Sequence, residues 1–447
     1  MPDATALPVP PAACVPFVLL LLAIAVLPLV VPNWWHHNRN KGLIALLCGG
    51  AGAAWVVPNL GAHELGHAMV EYGSFMLYLG ALFVISGGVA LEGDLRATPA
   101  ANTAFLGVGA LLASFAGTTG ASMLLIRPLL RANAERRHVA HTVIFFIVLV
   151  GNVGGCLTPL GDPPLFLGYL RGVPFEWTLG LWPEWAFMSG LLLAVYWIVD
   201  SRMWRREASR DKARDLRLRE PLRLLGGYNL VLLAAVVVVV ALVKEPEVPH
   251  AHLVRDGLLL VLILVSLVST LRAAHASNAF AWGPVIEVAV LFAGLFAAMV
   301  PALRLMEQRG AEMGITEPWH YFWATGLLSS FLDNAPTYLT FASLATAAMN
   351  AAHPELHIVA GHVGGLVLID PQIHAEAAHQ GHLLLESMSL GAVFMGAMTY
   401  IGNGPNFMIK AIAESRGVKM PSFVGYMVWS SVVLLPLLVV LTVLFLI

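Results

Sequence analysis

The sequence is poor in charged residues and in cysteine. Asp, Glu, Lys and Arg make up only 12% of its 447 residues, and the formal net charge is −2. A soluble domain is about a quarter charged, so this composition argues against a soluble protein, and the near-neutral charge does not indicate a nucleic-acid partner. The three cysteines, Cys14, Cys48 and Cys156, are too scattered for a disulfide framework or a metal site. We therefore expect no metal and no cofactor.

Basic residues are also lacking at the start of the chain, because Met1–Pro16 contains no Lys or Arg. A cleaved signal peptide would need a positively charged start and a small-residue cleavage site. We therefore expect Val15–Val31 to be a first membrane span. Hydrophobic residues account for 58% of the chain, and the mean hydropathy is +0.77. These values predict an all-α polytopic membrane protein surrounded by lipid.

Apolar runs of about 17–25 residues, the length that crosses a bilayer, recur along the sequence. We predict spans at about 15–32, 42–60, 74–93, 138–157, 178–199, 226–244, 256–274, 281–300, 382–401 and 424–447. Two further runs, about 101–126 and about 320–347, are interrupted by polar or glycine-rich residues, and we predict re-entrant hairpins there. Each half of the chain then holds five spans and one hairpin.

A twelve-residue motif occurs twice, and Asp162 in the first copy corresponds to Asn403 in the second. The copies are Gly155–Phe166 and Gly396–Phe407, with five of twelve positions identical at an offset of 241. Each copy places Gly, Pro and a polar side chain inside an apolar stretch, which hydrocarbon tolerates only where the break is buried in protein or lines a cavity. Paired broken helices are the best sequence indication of a transporter's binding site.

The hairpin tips also repeat, at an offset of 216. The second half therefore carries 25 extra residues between hairpin and broken helix, which we place in a His-rich external insertion at about 350–380. We predict a first repeat over 1–200 with a broken helix at about 138–171. A linker over 201–225 leads to a second repeat over 226–447, with a broken helix at about 382–415.

The basic residues predict an orientation. Because each repeat has an odd number of spans, the second repeat is expected to be inverted relative to the first. With the N-terminus outside, 20 of the 25 Lys and Arg residues lie inside, as the positive-inside rule requires. We therefore expect a multi-pass protein of the cell (inner) membrane, with the basic linker in the cytoplasm as a solvated connector.

Three carboxylates are predicted to lie within the membrane, where a charge costs at least about 2.5–3.5 kcal/mol and usually marks an ion pathway. They are Asp162, Asp333 and Glu287. Neutral oxygens are available nearby in sequence from Asn152, Thr158, Asn334, Thr337, Thr399, Asn403 and Asn406, and from Thr118 at the first hairpin tip. Carboxylate and amide oxygens favour Na⁺ over a transition metal. Burial raises a carboxylate pKa, so a buried aspartate would exchange a proton for a cation.

Structural roles remain open for several of these residues. Asp162 alternatively caps a helix, and Glu287 alternatively forms an ion pair with a neighbouring helix. Thr118 alternatively satisfies backbone groups at a tight hairpin tip. A rival motif, His63-Glu64-Leu65-Gly66-His67, fits the zinc-protease pattern H-E-x-x-H, with Asp333 as its third ligand. We place that motif between spans and outside the repeated cores, so the intramembrane protease is only a remote alternative.

The motifs around Asn152–Asp162, Ser329–Pro336 and Gly396–Pro405 resemble those of the ion transporter superfamily. The closest resemblance is to citrate-transporter-like proteins of the NhaD sodium:proton antiporter type, and it extends from about Phe17 to the C-terminus. It implies inverted repeats, a scaffold and a mobile transport region, elevator-type motion and a homodimer. It also assigns ion-binding roles to Asn152, Asp162, Asp333, Asn334 and Thr399.

The chain departs from the NhaD pattern at two places. Gly117-Thr118 replaces the expected Asp-Asn of the first hairpin, and Pro163-Pro164-Leu165 replaces threonines after Asp162. The stoichiometry of this type is therefore not transferred. The leading hypothesis is an antiporter that exchanges Na⁺ or Li⁺ for H⁺ at Asp162 and Asp333. The alternative is a sodium- or proton-coupled symporter of citrate or another small carboxylate.

Overall fold

The computed structural model describes residues 8–93, 96–209, 221, 223–244, 248, 250–278, 280–359 and 361–447. Part of the predicted linker, residues 210–220 and 222, lies outside this part of the chain. The first helices are α1 (Val15–Val30), α2 (Pro32–Trp35), α3 (Asn38–Asn59), α4 (Ala62–Gly87), α5 (Pro99–Ala116), α6 (Thr118–Ala132), α7 (Ala140–Leu149), α8 (Pro163–Leu170) and α9 (Trp182–Arg206).

The later helices are α10 (Tyr228–Leu242), α11 (Ala251–Ser269), α12 (Arg272–Ser277), α13 (Gly283–Arg309), α14 (Pro318–Phe331), α15 (Asn334–Ala352), α16 (Ala375–Met395), α17 (Gly404–Ser415) and α18 (Phe423–Leu441). Short 3-10 helices lie at Pro11–Cys14, Val153–Cys156, Phe175–Leu181, Gly310–Met313, Val363–Leu366 and Gly396–Met398, and a π-helix at Thr442–Leu446. Two three-residue strands, β1 (Ala90–Glu92) and β2 (Arg223–Leu225), pair antiparallel.

Within the described residues, nine helical segments are long and apolar enough to cross a membrane. They are Pro11–Val30, Asn38–Asn59, Ala62–Gly87, Pro99–Ala116, Phe175–Arg206, Ala251–Ser269, Gly283–Met313, Ala375–Met398 and Phe423–Leu446. Two shorter apolar segments, Ala140–Cys156 and Tyr228–Leu242, accompany them. The prediction of an all-α polytopic membrane protein is confirmed.

The predicted start of the third span is wrong. We placed the span at about 74–93, but α4 begins at Ala62 and ends at Gly87. The early turns of α4 carry Glu64 and Glu71, which interrupt the apolar run in the sequence. Both carboxylates form ion pairs: Glu64 Oε1 lies 2.6 Å from Arg304 Nη2, and Glu71 Oε1 lies 2.7 Å from Arg171 Nε. These pairs allow a helix of membrane-span length to include both acids.

The chain divides into two compact units. The first comprises Met1–Met76, Leu167–Pro174 and Ala281–Ala392, and the second comprises Leu77–Phe166, Phe175–Phe280 and Val393–Ile447. Both units draw segments from the two sequence halves. The predicted repeats therefore do not correspond to compact units, and the repeat boundaries remain predictions.

The first unit is built around close packing of α3 against α13. A Cβ atom at Gly49 would lie 2.7 Å from Gly294 Cα, and one at Gly52 would lie 2.7 Å from Ala298 Cα. Such distances are shorter than real Cβ contacts, so the small residues permit the backbones to approach this closely. Without a hydrophobic driving force between helices in lipid, close contact of small residues is a principal source of helix association.

The second unit contains the first hairpin and the two irregular segments at which the broken helices are interrupted. Gly117 separates α5 from α6 and has φ +73°, a left-handed conformation that favours glycine. A Cβ atom at this position would also lie 2.9 Å from Leu82 Cδ1. The first broken segment runs through α7 and α8 with irregular backbone between them, and the second through α16 and α17. The second hairpin, α14 and α15, belongs to the first unit.

Candidate ion-binding site

The two broken helices turn by the same local device. Thr158 Oγ1 accepts a hydrogen bond from the Leu160 N–H at 3.1 Å. At the corresponding position, Thr399 Oγ1 accepts from the N–H groups of Ile401 at 3.2 Å and Gly402 at 3.1 Å. A threonine hydroxyl that bonds the backbone two residues ahead provides an alternative to the helical hydrogen bond. A threonine hydroxyl therefore satisfies backbone groups within the irregular segment of each copy.

Glycine allows the first break to fold tightly on itself. A Cβ atom at Gly161 would lie 2.0 Å from the carbonyl oxygen of Gly155. The Gly161 carbonyl accepts a hydrogen bond from the Thr118 N–H at 2.8 Å, which attaches the break to the start of α6. The first hairpin tip and the first broken helix are thereby held together.

Asp162 lies at this junction and is fully buried. Its Oδ1 accepts a hydrogen bond from Thr118 Oγ1 at 2.9 Å and another from Asn403 Nδ2 at 2.9 Å. Its backbone carbonyl accepts from the Leu165 N–H at 3.1 Å, at the start of α8. The two repeated motif positions, Asp162 and Asn403, are therefore in direct contact.

The Asn403 amide nitrogen is the centre of a cluster of oxygens. Besides Asp162 Oδ1, it lies 3.2 Å from Asn152 Oδ1 and 3.2 Å from the Gly151 carbonyl oxygen. A primary amide has two N–H donors, so three acceptors converge on a group that satisfies two at a time. We call Asp162, Thr118, Asn152 and Asn403, with the Gly151 carbonyl, the polar centre.

A second layer holds the polar centre in place. Asn152 Nδ2 donates to Asn406 Oδ1 at 2.7 Å and to the Ile147 carbonyl at 2.8 Å. Asn406 Nδ2 in turn donates to the carbonyls of Gly396 at 2.8 Å and Thr399 at 2.9 Å. From the sequence, Asn406 is expected only to supply an oxygen, but its contacts show that it positions Asn152. All these side chains are buried.

Other predicted residues lie outside the polar centre. Thr158 Oγ1 donates to the Ser114 carbonyl, and Thr399 forms the turn described above. Asp333 and Asn334 belong to the first unit, where Asp333 Oδ1 accepts from the Ala335 N–H at 3.1 Å and caps α15. Thr337 Oγ1 donates to the Asp333 carbonyl at 2.9 Å.

Glu287 forms an ion pair, with its Oε1 2.7 Å from Lys41 Nζ. The pair connects α13 to α3 beside their close packing. Of the two roles left open for Glu287, pairing with a neighbouring helix is the one its contacts favour.

The position assigned to the HELGH motif is also wrong. His63–His67 lies in the first turns of α4 rather than between spans. Glu64, the base of the protease pattern, is paired with Arg304, which also contacts Glu307 at 3.0 Å. Within the described residues, no group of three His, Cys, Asp or Glu side chains comes together as a metal site.

Sequence reasoning missed a buried charged network in the second unit. Asp200 is fully buried and accepts hydrogen bonds from Arg136 Nη1 at 3.1 Å and from Asn102 Nδ2 at 3.4 Å; its Oδ1 lies 2.8 Å from His141 Nε2. These residues stand near the ends of predicted spans, where charge was interpreted only as a mark of orientation. The sequence did offer an indication of this network: Asp200 follows an apolar run directly, and the basic residues Arg136 and His141 lie at the start of another.

A membrane protein with two broken helices and a buried carboxylate at their junction has the features of a transporter. A family model described as "Putative citrate transport" matches residues 6–446. The chain belongs to this family, as the resemblance predicted. Membership points to a citrate-transporter-like secondary transporter in a membrane. No curated protein matches the chain significantly.

Proposed function

We propose that this protein is a secondary active transporter that exchanges Na⁺ or Li⁺ for H⁺, with Asp162 as a shared cation and proton site. The observation that carries the proposal is the convergence of three oxygens, from Asp162, Asn152 and Gly151, on the Asn403 amide nitrogen. Oxygens gather in this way around a positive group. A hard cation selects such carboxylate, amide and carbonyl ligands.

The amide of Asn403 would act as a gate for the cation. When its nitrogen faces the three oxygens, its N–H groups supply partial positive charge. Rotation of the side chain would remove these donors, leave the oxygens to a cation and direct the amide oxygen to the same place. The Thr118 hydroxyl, at 2.9 Å from Asp162 Oδ1, supplies a further oxygen within reach.

Competition for one negative charge would couple the two ions. A buried carboxylate is costly in apolar surroundings unless a proton or a cation compensates it. Asp162 would hold one or the other, so cation entry releases a proton. Asp333 is proposed as a second acid of the same chemistry, at the N-terminus of α15.

The proposal includes inverted repeats, elevator-type motion and a homodimeric assembly. The shared turns at Thr158 and Thr399 support the repeats, because residues at an offset of 241 make equivalent hydrogen bonds. The basic residues support an external N-terminus and a cytoplasmic linker. In an elevator, one region would carry the bound ion across while the other remained fixed.

The second candidate is a sodium- or proton-coupled symporter of citrate or a related carboxylate. The family description favours it. In that case the polar centre would bind the coupling cation, and the carboxylate would bind beside the Thr118-Thr119 tip and the Asn403 region.

Purified protein in proteoliposomes containing a pH-sensitive dye would distinguish the candidates. An inward Na⁺ gradient should drive protons out and raise the internal pH in the wild type. Asp162→Asn should slow this exchange by at least about tenfold, whereas Glu376→Gln, which removes an exposed carboxylate, should not. A second assay would follow labelled citrate uptake under the same gradient. Uptake of citrate without a sodium-driven pH change would reject the antiporter in favour of the symporter.

A further inference from the structure

A large basic cavity lies in the second unit, between the segment that joins α6 to α7 and the segment that follows α17. Its volume is about 900 Å³. Five permanently cationic residues line it: Arg131, Arg136, Arg137, Arg416 and Lys419. His138 and His141 also contribute to the wall, and Met203 and Trp429 supply apolar surface. We call this cavity the basic chamber.

Two carboxylates behind the wall of the basic chamber, Asp200 and Glu207, are already engaged. Glu135, between the lining residues Ala134 and Arg136, has a buried Oε2 without a hydrogen-bond partner among the described residues. Asp200 interacts with Arg136 and His141, and Glu207 accepts from the backbone N–H groups of Arg137 at 3.1 Å and His138 at 2.9 Å. In the part of the chain that the structure describes, no carboxylate lines the chamber itself. Its surface therefore carries more positive than negative charge.

Two cationic residues of the chamber, Arg416 and Lys419, form no ion pair within the described residues. Arg136 is paired with Asp200, but its Nε is buried without a hydrogen-bond partner. Arg127, one turn before Arg131 on α6, is close enough to Arg131 and Arg416 to be repelled by both, and its Nη1 is buried without a partner. Like charges gathered around one cavity favour a multivalent anion.

The basic chamber and the polar centre lie at opposite ends of two helices. Helix α7 begins at Ala140, which lines the chamber, and is followed by Gly151 and Asn152 of the polar centre. Helix α17 begins directly after Asn403, and Arg416 of the chamber follows its last residue. At 1.5 Å per residue these helices separate the two places by about 15–18 Å.

We propose that the basic chamber is a binding site for a soluble, polyvalent oxyanion, separate from the polar centre. Arginine presents a planar fork that binds carboxylate or phosphate oxygens through two parallel hydrogen bonds. The volume is in the range of small-molecule sites. A monovalent anion would compensate only one of Arg416 and Lys419, so two or more anionic groups are required for tight binding. The proposal does not depend on which ion the polar centre carries.

The test is calorimetric titration of the full-length protein in nanodiscs of phosphatidylcholine, with pyrophosphate and citrate as probes at constant ionic strength. The wild type should bind both probes saturably, and acetate should bind far more weakly. The double variant Arg416→Gln, Lys419→Gln should weaken binding by about tenfold or more. Both residues are exposed, so we expect this variant to fold.

A matched double variant, Lys244→Gln with Arg309→Gln, removes the same charge away from the chamber and should leave affinity unchanged. Asp162→Asn should also retain binding, which separates this site from the proposed exchange site. Equal affinity in wild type and the Arg416/Lys419 variant, or no saturable binding, would overturn the proposal.

Anionic lipid is the other source of the same chemistry. The Lys244/Arg309 variant measures how far the surface charge of phosphatidylglycerol nanodiscs weakens binding of the soluble probes in general. After correction for that effect, the affinity of the wild type in phosphatidylglycerol should lie within about twofold of its value in phosphatidylcholine. A larger loss that disappears in the Arg416/Lys419 variant would assign the chamber to a lipid headgroup and reject a soluble ligand.

Discussion

Single side chains replace regular helical hydrogen bonds at the polar centre. A broken helix exposes N–H and C=O groups that hydrocarbon cannot satisfy, and each unsatisfied group costs several kcal/mol. Thr158 and Thr399 satisfy such groups with their hydroxyls, and Asn406 satisfies two carbonyls with its amide. The break therefore depends on a few residues whose removal leaves a backbone N–H or C=O group without its partner.

Thr399→Val should destabilise the protein by about 2 kcal/mol, because the part-buried N–H of Ile401 and the buried N–H of Gly402 lose their acceptor. Thr399→Ser keeps the hydroxyl and should cost less than half as much. Thermal unfolding of purified protein in detergent would measure both.

The control for this prediction is Thr346→Val in α15. Thr346 is buried like Thr399, but its hydroxyl only donates to the Ala342 carbonyl of its own helix. Loss of the Thr346 hydroxyl leaves no backbone N–H without an acceptor, so the unfolding midpoint should hardly change. Equal destabilisation by the two valine variants would show that the Thr399 turn has no special structural role.

Much of the polar centre was predictable from sequence, because Gly, Pro and Asp inside an apolar run are informative residue by residue. The direct hydrogen bond between Asp162 and Asn403 was not predictable, since residues 241 positions apart come together only in the fold. The outcome for Glu287 was left open for the same reason: its partner Lys41 lies on another helix.

At the scale of secondary-structure elements, small residues determine how closely α3 and α13 pack. Gly49→Ala would place a Cβ atom 2.7 Å from Gly294 Cα and 2.9 Å from its carbonyl oxygen. We expect a loss of about 1–3 kcal/mol from this overpacking, measured as a lower unfolding midpoint.

Gly50 provides a matched control on the same helix, because a Cβ atom there meets nothing within 4 Å. Gly50→Ala should be neutral or should stabilise by up to about 1 kcal/mol, since alanine loses less backbone entropy in a helix. If Gly49→Ala were as stable as Gly50→Ala, close approach of α3 and α13 would not contribute to stability.

The segment between α6 and α7 is fixed by Glu207, which follows the last residue of α9. Burial alone would raise the pKa of Glu207, but hydrogen bonds from the backbone of His138 and Arg137 and the contact with the His138 ring lower it below its usual value of 4.5. A pKa lowered by folding means that the charged form stabilises the fold. This stabilisation is present above pH 4.5 and is lost as pH falls through the lowered pKa.

Glu207→Gln should therefore destabilise the protein at pH 7, and the difference from wild type should shrink as the pH falls below 4.5. Unfolding midpoints at a series of pH values would test this. A difference that stayed constant down to pH 3 would show that the Glu207 charge does not contribute.

At the scale of the whole molecule, the sequence predicted the class of fold but not its division into compact units. Apolar run length identifies spans independently of partners. The early start of α4 escaped prediction because Glu64 depends on Arg304, 240 residues away. The buried Asp200 network escaped it because three separate segments supply its members.

We propose that one carboxylate, Asp162, binds either a cation or a proton. This role is tested most directly by the proton released when Na⁺ is added to purified wild-type protein and to Asp162→Asn in weakly buffered detergent solution, with choline as the control cation. We predict saturable proton release by the wild type with Na⁺ alone, and its loss in Asp162→Asn together with weakened ²²Na⁺ binding. Na⁺ binding that releases no proton, or that persists unchanged in Asp162→Asn, would contradict the account.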